Sequence, residues 1–283
     1  MFRRIILGSI LGTMGTFVSA AAAAPATAPA SAPASQAATS QAAASQPACQ
    51  DRVHAVLHAL EQRGESVKDL RAKIEWQVLD QVIDDKQVKF GELLFKRDKP
   101  RDKFLVKFTR TVVEDQVIDK PEEHLFDGEW YTEKREATKS VIKRQIVRPG
   151  EEFDPFKLGQ GPFPLPFGQK EAEILEKFRV TCVEPAKDDP ANAAHLKLVP
   201  KPTAEDMADK YKELHFFIDK KLDLPVKVVA DQKDEKLVTV TFTDIRVNTA
   251  IPGSAFTIGV PDDPTWSVSV ESLTPENPRG SRT

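Results

Sequence analysis

His54 and His58 stand four residues apart in a stretch whose apolar residues repeat at helical spacing. Two imidazoles one turn apart on a helix can supply half of a metal site. Residue 55 is Ala, so the His-Glu-x-x-His pattern of zinc proteases is missing, and the pair reads as a solvated helix flank. Gly159-Gln160-Gly161 lacks the strand before it and the residues after it that a phosphate-binding loop needs; it reads as a bend. The chain has no Gly-x-Ser-x-Gly elbow. Its acidic pairs, Asp84-Asp85, Glu122-Glu123 and Glu151-Glu152, sit where turns and hairpin ends are expected. Nothing pairs a nucleophile with a base, so the expectation is a protein that is not an enzyme and needs no metal or cofactor.

Cys49 and Cys182 are the two cysteines. In an oxidising compartment one disulfide between them would staple the start of the first helix to a central strand. Sequence does not give the sulfur separation, so bonded and free thiols both stay open.

The compartment is read from the first residues. Arg3 and Arg4 precede an apolar run to Phe17, and Val18-Ser19-Ala20 supplies a small-x-small cleavage site. This pattern predicts a signal peptide over residues 1–20, cleaved on export to the periplasm. The apolar run is short for a membrane span. Residues 21–48 hold Ala, Pro, Thr, Ser and Gln up to the final Ala48, and such a segment has too little to bury to repay its chain entropy. A disordered spacer is expected there. The first Cys comes only at position 49, which argues against a lipid anchor.

About 235 residues remain, a length that suits one domain, assigned to residues 49–272, with a flexible tail over 273–283. Lys plus Arg number 40 against 43 Asp plus Glu, a formal net charge of −3, and the signs are interspersed. That distribution excludes a basic nucleic-acid footprint.

Val53, Val56, Leu57 and Leu60 predict a helix over 50–66, with Gly64 near its end. The period then becomes two: Leu70, Ala72, Ile74, Trp76 and Val78 alternate with charged or polar residues. The same alternation returns at Phe104, Val106 and Phe108, at Leu214, Phe216 and Ile218, and at Val238, Val240 and Phe242. Many evenly spaced strands with little helix predict a mainly β (α+β) fold, a strongly curved antiparallel sheet forming a barrel or half-barrel. Residues 149–177 break the pattern. Prolines at 155, 162, 164 and 166 interleave with Phe153, Phe156, Phe163, Leu165 and Phe167, before a short helix over 169–177. Proline at every second residue forbids a central strand. The segment is either a lid over the sheet or a hydrophobic plug that caps it.

Several segments in this order resemble the LolA family of periplasmic lipoprotein carriers: Phe90-Gly91-Glu92-Leu93-Leu94-Phe95-Lys96-Arg97, Phe126-Asp127-Gly128-Glu129-Trp130-Tyr131, Leu196 to Lys201, Leu224 to Val228, Val238 to Asn248 and Phe256 to Pro261. The resemblance covers roughly residues 50–262 and implies an incomplete antiparallel barrel with a helical lid over a hydrophobic hollow. It also implies the function, a periplasmic carrier sheltering the acyl chains of lipoproteins or lipids in transfer between membranes. The implied partners are lipidated proteins or lipids, an inner-membrane donor complex and an outer-membrane acceptor, with a monomer as the working form. In the family an arginine after the Gly-x-Leu strand contacts the lid. Arg97 matches it, but Asp98-Lys99 is inserted before Pro100, so Arg101 competes for this latch.

The alternation assigns Ile74, Trp76, Phe104, Val106, Phe108, Val240 and Phe242 to the cavity, and Phe153, Phe156, Phe163, Leu165 and Phe167 to the lid. An alternative function on the same fold is an envelope sensor that binds a membrane partner.

Overall fold

Alternating apolar and polar residues build the sheet, because a strand turns successive side chains to opposite faces. The structure, a computed structural model, describes residues 38–98, 101–114, 116–148, 151, 158 and 167–273. The expected signal peptide, the spacer up to residue 37, the lid residues Phe153, Phe156, Phe163 and Leu165, and nearly all of the tail lie outside the described residues. The described residues from 42 onward form one compact unit; of 1–41, only the helical residues 38–41 are described.

Helix α1 spans Ala38–Ser66. It begins well before the predicted residue 50, inside the stretch read as spacer. Alanine, abundant there, is the strongest helix former, and a helix already nucleated downstream extends into such a stretch at little cost. Among the described residues, thirteen strands form one sheet. They are β1 (Asp69–Asp80), β2 (Asp85–Lys96), β3 (Lys103–Val113), β4 (Gln116–Ile118), β5 (Glu122–Phe126), β6 (Trp130–Arg135), β7 (Ser140–Gln145), β8 (Phe178–Val183), β9 (Ala193–Pro200), β10 (Tyr211–Asp219), β11 (Leu224–Gln232), β12 (Lys236–Val247) and β13 (Ser267–Glu271). The described residues also hold two short helices, α2 (Glu171–Lys177) and α3 (Glu205–Ala208), and one 3-10 turn.

The strand order is β13-β7-β6-β5-β3-β2-β1-β12-β11-β10-β9-β8, with β4 paired to β3. The two ends do not meet, so the sheet is open and not closed into a barrel. Every pair is antiparallel except β13 with β7. Gly91 marks one bend: the register between β2 and β3 shifts beside it, and a Cβ there would collide with the Lys107 carbonyl.

The sheet buries its faces unequally. The inner face carries the main core, and Val53, Leu57 and Leu60 of α1 lie in the same cluster. Their spacing of four and three residues puts them on one helix stripe. The outer face has a small cluster of Leu94, Leu105, Leu125, Ile251 and Phe256. Among the described residues, no helix is long and apolar enough to cross a membrane.

Candidate functional site: the inner face and its covers

Seven residues assigned from sequence to a cavity share the inner face. Register explains the grouping: Ile74 pairs with Gly91 and Phe242, Trp76 with Lys89 and Val240, and Val106 with Leu93 and His124. Ile74, Phe104, Val106, Phe108, Val240 and Phe242 are buried, and Trp76 packs partly buried against them. Phe104 and Phe126 bring their rings to 5.9 Å.

Separate pieces of chain cover this surface. One is α1. Another reaches the core through Leu158 and Phe167, both buried. Phe167 meets Phe242 edge to face, ring centroids 4.9 Å apart, a favoured aromatic geometry. The third is α2, whose Ile174 is buried.

The covers converge at backbone. Gly168 has φ of +125°, which favours glycine, and a Cβ on Gly64 would come within 3.0 Å of the Gly168 Cα. Glycine at both positions lets the end of α1 approach the segment before α2. Beside this crossing, Arg97 Nη2 donates to the Gly64 carbonyl at 3.2 Å. Its own N–H donates to the Lys68 carbonyl at 2.8 Å. Arg101 serves a different piece. Its guanidinium donates to the carbonyls of Gly128, Arg148 and Glu151 at 3.2, 3.0 and 3.2 Å. The two arginines read as rivals for one latch therefore sit on two: Arg97 on α1, Arg101 on the chain around Arg148 and Glu151. Both use guanidinium donors on main-chain oxygens, contacts that need no particular partner side chain.

Two small cavities lie among the described residues beside these covers. A cavity of about 10 Å³ lies among Leu158, Gln169, Ile174 and Phe178, and another of about 50 Å³ beside Cys182, Ala193 and Leu196. Both are far below the roughly 300 Å³ of a small-ligand pocket.

Sequence reading missed a polar cluster at one end of this face. Glu122, His124 and Phe126 alternate on β5, so the two polar residues point the same way as Phe126. Lys89 Nζ lies 2.6 Å from Glu122 Oε2, and His124 Nε2 lies 2.8 Å from Glu122 Oε1. Tyr131 Oη is 2.7 Å from His124 Nδ1, and Arg135 forms an ion pair with Glu133. An ionised Glu122 can only accept, so His124 donates to it from Nε2. Burial pushes the Glu122 carboxyl up, but hydrogen bonds from His124 and Lys89 and the Lys89 charge hold it down to about 2. Burial, with Glu133 and Glu122 nearby, raises the Tyr131 hydroxyl above its ordinary value. The period-two spacing of Glu122 and His124 with Phe126 was the available signal.

The cysteines meet as well. Cys182 N–H donates to Cys49 Sγ at 3.2 Å, and Cys182 Sγ lies 3.2 Å from the Cys49 carbonyl oxygen, both thiols being free. Burial and the Cys49 thiol push the Cys182 thiol up to about 11. Strand β8, which holds Cys182, is an edge strand, not the central one anticipated.

No family model matches the chain, and no curated protein is significantly similar to it. Solved structures similar to it include a putative outer membrane lipoprotein-sorting protein domain from Vibrio parahaemolyticus, 16% identical over 71% of this chain and 94% of that one, TM-score 0.37. A LolA superfamily protein from Nitrosomonas europaea is 9% identical over 73% and 97%, TM-score 0.33. LprF from Mycobacterium bovis is 10% identical over 72% and 97%, TM-score 0.40.

Proposed function

We propose that this protein is a periplasmic, non-catalytic carrier that binds the acyl chains of lipids or lipidated proteins on the inner face of its sheet and passes them between membranes. One observation carries the reading. A continuous apolar face, from Phe104 and Phe126 to Val240 and Phe242, is covered by pieces of chain held in part through arginine-to-carbonyl hydrogen bonds.

The physics sets what such a carrier must do. An acyl chain in water costs about 0.8 kcal/mol per methylene, so a long chain needs extensive apolar surface. An empty carrier cannot leave that surface exposed without aggregating. Covers held by a few hydrogen bonds meet both demands, because the closed and loaded forms then differ by only a few kcal/mol.

Native mass spectrometry of protein recovered from the periplasm tests the proposal. Acyl-bearing adducts that disappear on delipidation, and return when phospholipid or lipoprotein is added, are the expected result. A protein that stays empty under all these conditions overturns it. Capture of a membrane-protein domain by that empty form would favour the sensor role.

A further inference from the structure

The helical His pair meets a second half. His54, His58 and Glu61 occupy one stripe of α1, spaced by four and three residues. Facing them is Glu171, the first residue of α2. One Glu171 carboxylate oxygen lies 2.5 Å from His54 Nδ1, and the other 3.8 Å from His58 Nδ1. The ligand atoms of His58, Glu61 and Glu171 all lie within 4.8 Å of one another. Both rings are more than half exposed, at 58% and 61%, while Glu171 is held at 20%. An ion can therefore enter from solvent and meet an ordered carboxylate.

We propose that His54, His58 and Glu171, with Glu61 as the fourth ligand, bind one first-row transition-metal cation, with Zn²⁺ the best fit, between α1 and α2. Two imidazoles and carboxylate oxygens suit zinc in both ligand type and number. Tetrahedral ligands around zinc stand about 3.3 Å apart. His58, Glu61 and Glu171 already gather within 4.8 Å, whereas His54 touches only Glu171 and its exposed ring must swing in for all four to bind.

The partners outside the ligand set fit too. Gln62 Nε2 lies 3.0 Å from His58 Nε2. With the amide turned so that its oxygen faces the ring, Nε2 keeps its proton and Nδ1 offers its lone pair towards Glu171. That is the outer hydrogen bond by which metal-binding histidines are oriented. Glu61 Oε2 accepts from the Glu171 N–H at 3.1 Å, so the fourth ligand is already tied to α2. The bound ion clamps together two of the covers of the inner face, and the site stands whether or not that face binds lipid.

Isothermal titration of the metal-free full chain with ZnCl₂ tests the site. The expected result is one ion per chain, with affinity falling at least tenfold in Glu171→Gln and a hundredfold in the double variant His54→Ala/His58→Ala. Excess zinc should raise the melting temperature of the parent by about 5 °C and leave the double variant unmoved. Circular dichroism establishes that the variants are folded, and Co²⁺ should show the visible bands of a four-coordinate site. No binding by the parent, or equal affinity in a folded double variant, overturns the assignment.

Discussion

The two ends of the inner face share strand β5 and solve burial in opposite ways. At one end Phe104, Phe126 and Phe242 are apolar and share one core cluster with Val53, Leu57 and Leu60 of α1 and with Phe167, which meets Phe242. At the other, Glu122, His124, Tyr131 and Glu133 face inward, with Lys89 and Arg135 closing the charges between neighbouring strands. A buried polar group is expensive unless bonded, so that end is held together by the sheet itself. Burial of the apolar end depends on covers that are not part of the sheet. The part of the face able to expose a greasy surface is therefore the part under α1 and Phe167.

The largest effect should come from removing the shared apolar floor. Phe104→Ala deletes a fully buried ring, and urea unfolding should show a loss of about 3–5 kcal/mol. A loss below about 1 kcal/mol would mean that this end is loosely filled. Next is the thiol pair. We propose that Cys49 and Cys182 become a disulfide in an oxidising compartment by two exchanges with a disulfide such as oxidised glutathione. The first thiolate forms a mixed disulfide and releases one thiol; the second thiolate displaces the other. Peptide mapping should find the bridge, with a mass lower by about 2 Da than the reduced chain. The bridge closes a loop between residues 133 positions apart, and reduction should cost about 2–4 kcal/mol. Two free thiols after prolonged exchange would sink it.

This contrast was only half legible in the sequence. Period-two alternation placed Ile74, Trp76, Phe104, Val106, Phe108, Val240 and Phe242 on one face, because the pleat itself imposes that period. A curved antiparallel sheet, closed or half-closed, followed from the number of strands and the shortage of helix between them; that it is open did not. The polar end was missed because Glu122 and His124 look like the solvated end of a hairpin; only the pairing of β5 with β6 brings Tyr131 and Glu133 to them. The meeting of His58 with Glu171 spans 113 positions and depends on α2 docking against α1, which no local period encodes. Arg97 and Arg101 were both singled out, but their carbonyl partners are set by loop paths.

The polar end has its own test. Glu122 is held near a pKa of 2 against an ordinary 4.5. A depressed carboxyl adds stability above its unfolded value, and that stability is lost as pH falls through the folded one. The contribution is therefore complete above about 4.5 and fades towards 2, amounting to at most about 3 kcal/mol. Urea midpoints of the parent should drop across that window, while those of Glu122→Gln should be lower at neutral pH and flatter below it. An equally steep acid loss in the variant would show that other carboxylates govern it.

The smallest effect on stability should carry the largest consequence for opening. Arg97→Leu removes one charge-assisted bond to Gly64, and because the side chain is partly exposed the loss should be about 1 kcal/mol. Hydrogen exchange should quicken at the C-terminal turn of α1, where Gly64 sits, and stay unchanged in β5 and β6. Arg101→Leu should instead loosen the chain around Arg148 and Glu151, since its bonds end there. If the proposed carrier role holds, transfer of a fluorescent phospholipid from donor to acceptor vesicles should be impaired more by Arg97→Leu than by Glu122→Gln. The first variant changes how firmly a cover is held, the second only a cluster the sheet closes by itself. Equal transfer by the two variants would break the link between the apolar end and opening.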